Sequence, residues 1–375
     1  MICRVVMPLP EVKLEDVMKK YGSIVALDGV NLHVADGEYF TIVGPTGAGK
    51  TTTLMVIAGL VKPDHGSVCI DGRVVNDVLP EERNVGFMFQ SFDLFPHLSV
   101  WDNVTYGPFV RGWNPEVYGK SAREMLELVH LAGRFDAFPR ELSGGMQQRI
   151  ALVRALTSGA RILLLDEPLG SLDAKIRVEL RYELRSLVKD LRLTAIHVTH
   201  DMEEAMIVSD RIAILRKGRI LQVGTPHEVY SNPTSLFVIN FMGETNFLEG
   251  IVKNRGENWA NIELRNGGNV RVTNGMMGVE KDVVLAIRSE DLFFNKRRVG
   301  ETNSLSGYIE GSKFISGYIR YEVRLDNGEH IILRRLASRN DSFKVSDRVT
   351  VNFSPEKVLV YPCPEGGLER ALSPD

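Results

Sequence analysis

Apolar and polar positions alternate in short runs over the first part of the chain. Val12-Lys13-Leu14-Glu15-Asp16-Val17 has the period-two pattern of a half-buried strand, and Asn31-Leu32-His33-Val34 repeats it more weakly. Asp36-Gly37 is a hairpin signal leading into a further strand, Tyr39-Phe40-Thr41-Ile42-Val43. A glycine-rich stretch follows, and Leu54-Met55-Val56-Ile57-Ala58 then continues as a helix. Ser67-Val68-Cys69-Ile70 and Val85-Gly86-Phe87-Met88-Phe89 are short strands broken by Asp71-Gly72 and Pro80. After Gln90 the sequence reads as a loop rich in aromatics, with Phe92, Phe95, Trp101, Tyr106, Phe109 and Trp113. The spacing of Val117, Ala122, Met125, Leu126, Val129 and Leu131 predicts a helix over 116–134, and Ile150, Ala151, Val153 and Leu156 predict another. Ile162-Leu163-Leu164-Leu165 is apolar throughout, as in a parallel strand buried on both faces. A helix with Leu180, Leu184, Leu187, Val188 and Leu191 on one face comes next, and then the strand Thr194–Thr199.

Past about residue 243 the pattern changes to short alternating runs: Phe247–Val252, Val270–Val272, Val283–Ile287, Tyr318–Val323, Ile331–Leu333 and Val349–Val351. Asn266-Gly267 and Asn327-Gly328 mark turns between them. The expectation is an α/β domain over 1–240 and a small all-β barrel, or paired barrels, over 241–375.

Composition adds bounds. The chain has 375 residues, is 44% hydrophobic and 25% charged, and carries a net charge of −3. That balance gives no support for a nucleic-acid surface. Its cysteines, Cys3, Cys69 and Cys363, are far apart and form no C-x-x-C pair, which fits a reducing compartment. No apolar run reaches the length of a membrane span, and Met1–Pro8 is too short and interrupted for a signal peptide.

The chemistry centres on Gly44-Pro45-Thr46-Gly47-Ala48-Gly49-Lys50-Thr51-Thr52. The pattern G-x-x-x-x-G-K-T, between a strand and a helix, is that of a phosphate-binding loop. Glycines let successive N–H groups turn toward one anion, and the helix start adds its positive end. Lys50 would reach the β- and γ-phosphates, and the Thr51 hydroxyl would ligate Mg²⁺. Ser143-Gly144-Gly145 opens a second helix and forms a second anion-binding arrangement. Asp166 ends an apolar strand, placed to act on Mg²⁺; Glu167, next along, would point the opposite way and orient a water. His200 lies one residue past a strand end, where ligands bind in open α/β sheets, whereas His197, mid-strand, reads as structural. Gln90 ends a strand and could hold a water or a metal, and Tyr21 could stack on a purine or pack in a small sheet.

Taken in order, these elements resemble an ATP-binding-cassette ATPase over roughly residues 12–240. The matching parts are Tyr21, the Walker A loop Gly44–Thr52, the Q-loop Gln90 and the LSGGxQ stretch Leu142–Gln147. They continue with Walker B Ile162–Asp166, Glu167, the D-loop Ser171-Leu172-Asp173 and the switch His200. The resemblance implies a P-loop cassette with a RecA-like core plus antiparallel β and helical subdomains. It implies ATP and Mg²⁺, with Thr51, Gln90 and Asp166 at the metal. It also implies Ser143, Gly144, Gly145, Gln147 and Asp173 at the nucleotide of a second cassette, in a head-to-tail homodimer or a heterodimer with a related chain. The C-terminal part, with Ile287–Asp291 and Phe353–Val358, resembles the OB-like regulatory domain of a branch of ABC importer ATPases. That branch serves sugar, polyamine, ferric-iron, sulfate and molybdate uptake; Gly243–Leu248 leans toward polyamine and iron. Membership of it implies a peripheral subunit on the cytoplasmic face of the membrane, bound to a separate permease and linked indirectly to an extracytoplasmic solute-binding protein. Nucleic acid is not an expected partner. The alternatives are an exporter ATPase, which the C-terminal barrel does not fit, and a soluble ABC ATPase on nucleic acid or ribosomes. Those usually carry a coiled-coil insertion or two cassettes, and neither is visible here.

Overall fold

The computed structural model describes residues 10–170, 172–273, 281–294, 302–338 and 343–374. Met1–Pro8 and Ser171 therefore lie outside the described residues. The chain divides into two compact units, Met1–Asn232 and Pro233–Asp375.

The first unit begins with β1 (Val12–Tyr21) and β2 (Ile24–Val34), an antiparallel pair. β3 (Tyr39–Val43) leads to α1 (Lys50–Ala58), and β4 (His65–Ile70), β5 (Arg73–Val74) and β6 (Val85–Met88) follow. Then come α2 (Val100–Val110), α3 (Pro115–Leu128), α4 (Gly144–Thr157), β7 (Ile162–Asp166), α5 (Ala174–Asp190) and β8 (Thr194–Thr199). α6 (Met202–Val208), β9 (Arg211–Arg216), β10 (Arg219–Gly224) and α7 (Pro226–Ser231) complete it. The strands form an antiparallel sheet β2-β1-β4-β5 and a mostly parallel sheet β10-β9-β3-β8-β7-β6. The period-two rule divides β7 between two cores. Ile162 and Leu164 pack with α1 and the antiparallel sheet, whereas Leu163 and Leu165 pack with α4 and α5.

Three sequence expectations change here. The Asp36-Gly37 turn is not a hairpin: β2 pairs with β1 while β3 pairs with β8 and β9, so the turn crosses between sheets. The aromatic stretch after Gln90 contains a helix, α2, whose Ser99 cap accepts from the Asp102 N–H at 3.1 Å. The helix predicted to run to 134 stops at Leu128. His130 turns left-handed, φ 57°, and the Leu131 N–H bonds back to the Leu126 carbonyl at 2.8 Å. Val129 and Leu131 remain buried beyond the helix, with α2, α3 and α4 around them.

The second unit starts with α8 (Leu236–Met242) and continues as β11 (Thr245–Arg255), β12 (Ala260–Leu264), β13 (Asn269–Val272) and β14 (Asp282–Arg288). β15 (Phe293–Phe294), β16 (Asn303–Ile315), β17 (Tyr318–Leu325), β18 (His330–Leu336), β19 (Arg348–Phe353) and β20 (Leu359–Pro362) follow, and α9 (Leu368–Leu372) comes last. They make two five-stranded sheets, β13-β12-β11-β14-β20 and β15-β19-β16-β17-β18. Asn266-Gly267 and Asn327-Gly328 close the β12–β13 and β17–β18 hairpins. One hydrophobic core, from Leu248 and Leu285 to Leu333 and Val351, is shared by both sheets, so the unit is a single β fold and not paired barrels.

Candidate functional site

The phosphate loop is shaped by where it must pass. Gly49, at φ 106°, caps α1, and a Cβ there would stand 2.3 Å from the Ala26 carbonyl of β2. A Cβ on Gly44 would stand 2.2 Å from the Leu215 carbonyl of β9. The backbone thus approaches β2 and β9 more closely than any side chain allows. Lys50 is buried under the loop it serves, its Nζ donating to the Gly44 and Pro45 carbonyls at 2.9 Å each. Burial lowers its pKa, against the pull of Glu167 and Asp166.

Asp166 ends β7, buried, and its carboxylate accepts from the Thr51 side chain. Burial raises its pKa, and the Thr51 bond opposes that shift. Glu167 differs from the expectation of strand alternation. It lies past the strand at φ 47°, and this left-handed turn brings its carboxylate to the same side as Lys50 and Thr51. There it accepts from Gln90 Nε2 at 3.1 Å, and His200 Nδ1 lies 3.0 Å from its other oxygen. Loop residues Thr46, Gly47 and Gly49 to Thr52, with Gln90, Glu167 and His200, border an open cleft of about 440 Å³. The sequence-predicted Lys50, Thr51, Asp166, Glu167, Gln90 and His200 are therefore assembled at one place, the ends of parallel strands β3, β6, β7 and β8.

Other expected residues lie elsewhere. Tyr21 is exposed with the Lys19 ammonium over its ring, and Ile24 and Ala26 border the cleft instead. Ser143 caps α4 through the Met146 N–H, and Gly144 is exposed beside it; neither borders the cleft. Gln147 donates to the Pro139 and Leu142 carbonyls of its own loop, at 2.8 and 3.3 Å. Asp173 caps α5, accepting from the Ile176 N–H at 3.1 Å. His197 is fully buried against the Tyr39 hydroxyl, 3.2 Å away, in keeping with a structural reading. Sequence reasoning missed Gln148, which is buried and donates to the Glu167 carbonyl at 3.1 Å. A polar residue among the apolar positions Ile150, Ala151 and Val153 was the available signal.

Residues 27–170 match the family model described as ABC transporter, and residues 285–360 match the TOBE domain. Over 358 residues the chain is 40% identical to the spermidine/putrescine import ATP-binding protein PotA of Pseudomonas fluorescens (strain Pf0-1), covering 93% of this chain and 98% of that protein. The chain belongs to the ABC transporter ATPases. It is an import ATP-binding subunit with a C-terminal TOBE domain. This ABC ATPase is also 36% identical to the sulfate/thiosulfate import protein CysA of Thermosynechococcus vestitus, over 94% of this chain and 98% of that one. To the Fe(3+) ions import protein FbpC of Fusobacterium nucleatum it is 34% identical, over 93% of each. Among solved structures, its fold matches the dimeric MJ0796 cassette with a TM-score of 0.54 at 36% identity, over 57% of this chain and 98% of that one. As an ABC ATPase, the chain binds ATP. Among its described residues no helix is long and apolar enough to cross a membrane.

Proposed function

We propose that this ATPase powers solute import as a head-to-tail homodimer on the cytoplasmic face of a membrane, bound to a separate permease that an extracytoplasmic binding protein feeds. The observation that carries the reading is the division of the anion-binding parts. Lys50 and Glu167 border one cleft, while Ser143–Gly145 stands outside it with an exposed helix start free to cap a nucleotide held by another copy. The dimeric MJ0796 cassette supports that pairing. Polyamine or ferric iron is the favoured cargo on the Gly243–Leu248 stretch, polyamine having the further support of the relatives named PotA, with sugar, sulfate and molybdate behind.

The residues divide the work by chemistry. Lys50, desolvated and fixed on two carbonyls, supplies a positive charge at the phosphates without reorganising. Thr51, Asp166 and the Gln90 amide offer only oxygen ligands, which fits a hard cation such as Mg²⁺. Bound there, Mg²⁺ would neutralise charge on the phosphate oxygens. Glu167 orients the attacking water and accepts its proton, and His200 and Gln90 aim that carboxylate.

The test uses Glu167→Gln. With ATP it should form a stable dimer while turnover falls at least about a hundredfold. Mixed with solubilised membranes of the source cells, it should retain a polytopic permease whose binding protein can then be screened for polyamine and iron. Near-normal turnover would remove Glu167 from its role, and recovery of soluble or nucleic-acid-bound partners alone would overturn the importer reading.

A further inference from the structure

Glu167 holds a backbone conformation, φ 47°, that a residue with a Cβ keeps only when its surroundings fix it. Both of its peptide groups are tied. The N–H donates to the Val198 carbonyl of β8 at 2.9 Å. The carbonyl accepts from the Gly170 N–H at 3.2 Å and from Gln148 Nε2 at 3.1 Å. A carbonyl only accepts, so the Gln148 amide must turn its nitrogen toward Glu167. Gln148 is 1% exposed and sits on α4, one helical turn past Gly144. Leu169 and Leu172, just beyond Glu167, pack in one core with Ile150 and Val153 of α4. The turn that carries the carboxylate is thus held to the parallel sheet through its N–H and to α4 through its C=O.

We propose that Gln148 is a positioning residue for hydrolysis, joining α4 to Glu167 so that an anion meeting Ser143–Gly145 at the start of the helix sets the carboxylate in this chain's own cleft. The coupling rests on the head-to-tail pairing proposed above; the positioning does not. Displacing α4 along its axis moves the Gln148 amide with it, and the Glu167 carbonyl follows or loses its bond. Each cleft of a dimer then senses whether the other is filled, through one side chain.

Gln148→Met keeps the length of the side chain and removes the donor, and the Glu167 carbonyl retains Gly170, so the chain should fold with a melting temperature close to the parent's. Steady-state ATPase assays should show kcat down at least about tenfold, KM for ATP within about twofold, and a Hill coefficient reduced toward one. Gln148→Glu, whose buried carboxyl regains an O–H donor when protonated, should recover turnover as the pH is lowered from about 8 to about 6; a packing role would not produce this. Turnover of Gln148→Met within about twofold of the parent, or a loss of kcat matched by a rise in KM, would overturn the positioning role. The pairing is checked separately. A Glu167→Gln chain that stays monomeric with ATP would sink the head-to-tail reading and the coupling with it. Dimerisation with an unchanged Hill coefficient in Gln148→Met would sink the coupling alone.

Discussion

His197 and Glu204, on β8 and α6, are both almost wholly buried, and His197 lies three positions before the cleft residue His200. His197 Nε2 stands 3.3 Å from Glu204 Oε1 without the geometry of a hydrogen bond, and the other Glu204 oxygen accepts from Thr199 Oγ1 at 3.0 Å. Burial drives the imidazole down to about 3 and the carboxyl up to about 7. Between about pH 3 and about pH 7 this is a neutral pair and not a salt bridge. For Glu204, raised from its usual 4.5, the folded chain binds the extra proton; the stability this gives is complete below pH 4.5 and lost as pH rises to about 7. His197, lowered from 6.5, works in the opposite sense and costs stability as pH falls below 6.5. Between pH 4.5 and 6.5 the two offset one another. Glu204→Gln removes one side of that balance. Its unfolding free energy, minus the parent's, should climb by about 3 kcal/mol from pH 4.5 to 7 and then level off, as read by urea unfolding across that range. A constant offset would mean that Glu204 does not titrate there.

At the scale of elements, the join between β3 and α1 is set by close approach to β2. Gly49→Ala asks for a side chain at φ 106° and places it 2.3 Å from the Ala26 carbonyl. The expected loss is about 3 kcal/mol or more, with weakened ATP binding because β2 borders the cleft. Gly72→Ala, also at positive φ but with nothing within 4 Å, should cost only about 1 kcal/mol; thermal unfolding compares the two. Elements like this one were legible from sequence because loop chemistry and strand period agree. The site residues Asp166, Gln90 and His200 could be placed because each lies at or just past a strand end, and Lys50 because the G-x-x-x-x-G-K-T loop sets it at the start of α1. What stayed hidden depended on distant partners. α2 carries Gly107 and Pro108, so its helical period is broken although Ser99 and Asp102 mark its start. β16 fills alternate inward positions with residues as small as Gly307, leaving a weak apolar signal. The turn at Glu167 is invisible to strand alternation because bonds from β8 and α4, remote in sequence, impose it.

At the scale of the molecule, Phe109, Val110 and Val117 are 70%, 63% and 66% exposed near the junction of α2 and α3. Such a group of exposed apolar side chains suits a partner surface better than water, and under the proposed function that partner is the permease. Phe109→Asp should leave ATPase turnover of the isolated protein within about twofold of the parent and abolish capture of the permease; retained capture would place that contact elsewhere. The strand order also bears on how the protein is made. The parallel sheet has all its strands once Gly224 is synthesised, whereas β14 pairs with β20, which begins only at Leu359. At about 5–20 residues per second, the cell adds that intervening stretch in on the order of ten seconds. Over the later part of that interval, from Arg288 to Leu359, a nascent chain with all strands of its parallel sheet carries a β14 whose edge toward β20 is still bare. Until β20 arrives, that edge presents unpaired backbone groups with which a neighbouring chain can pair.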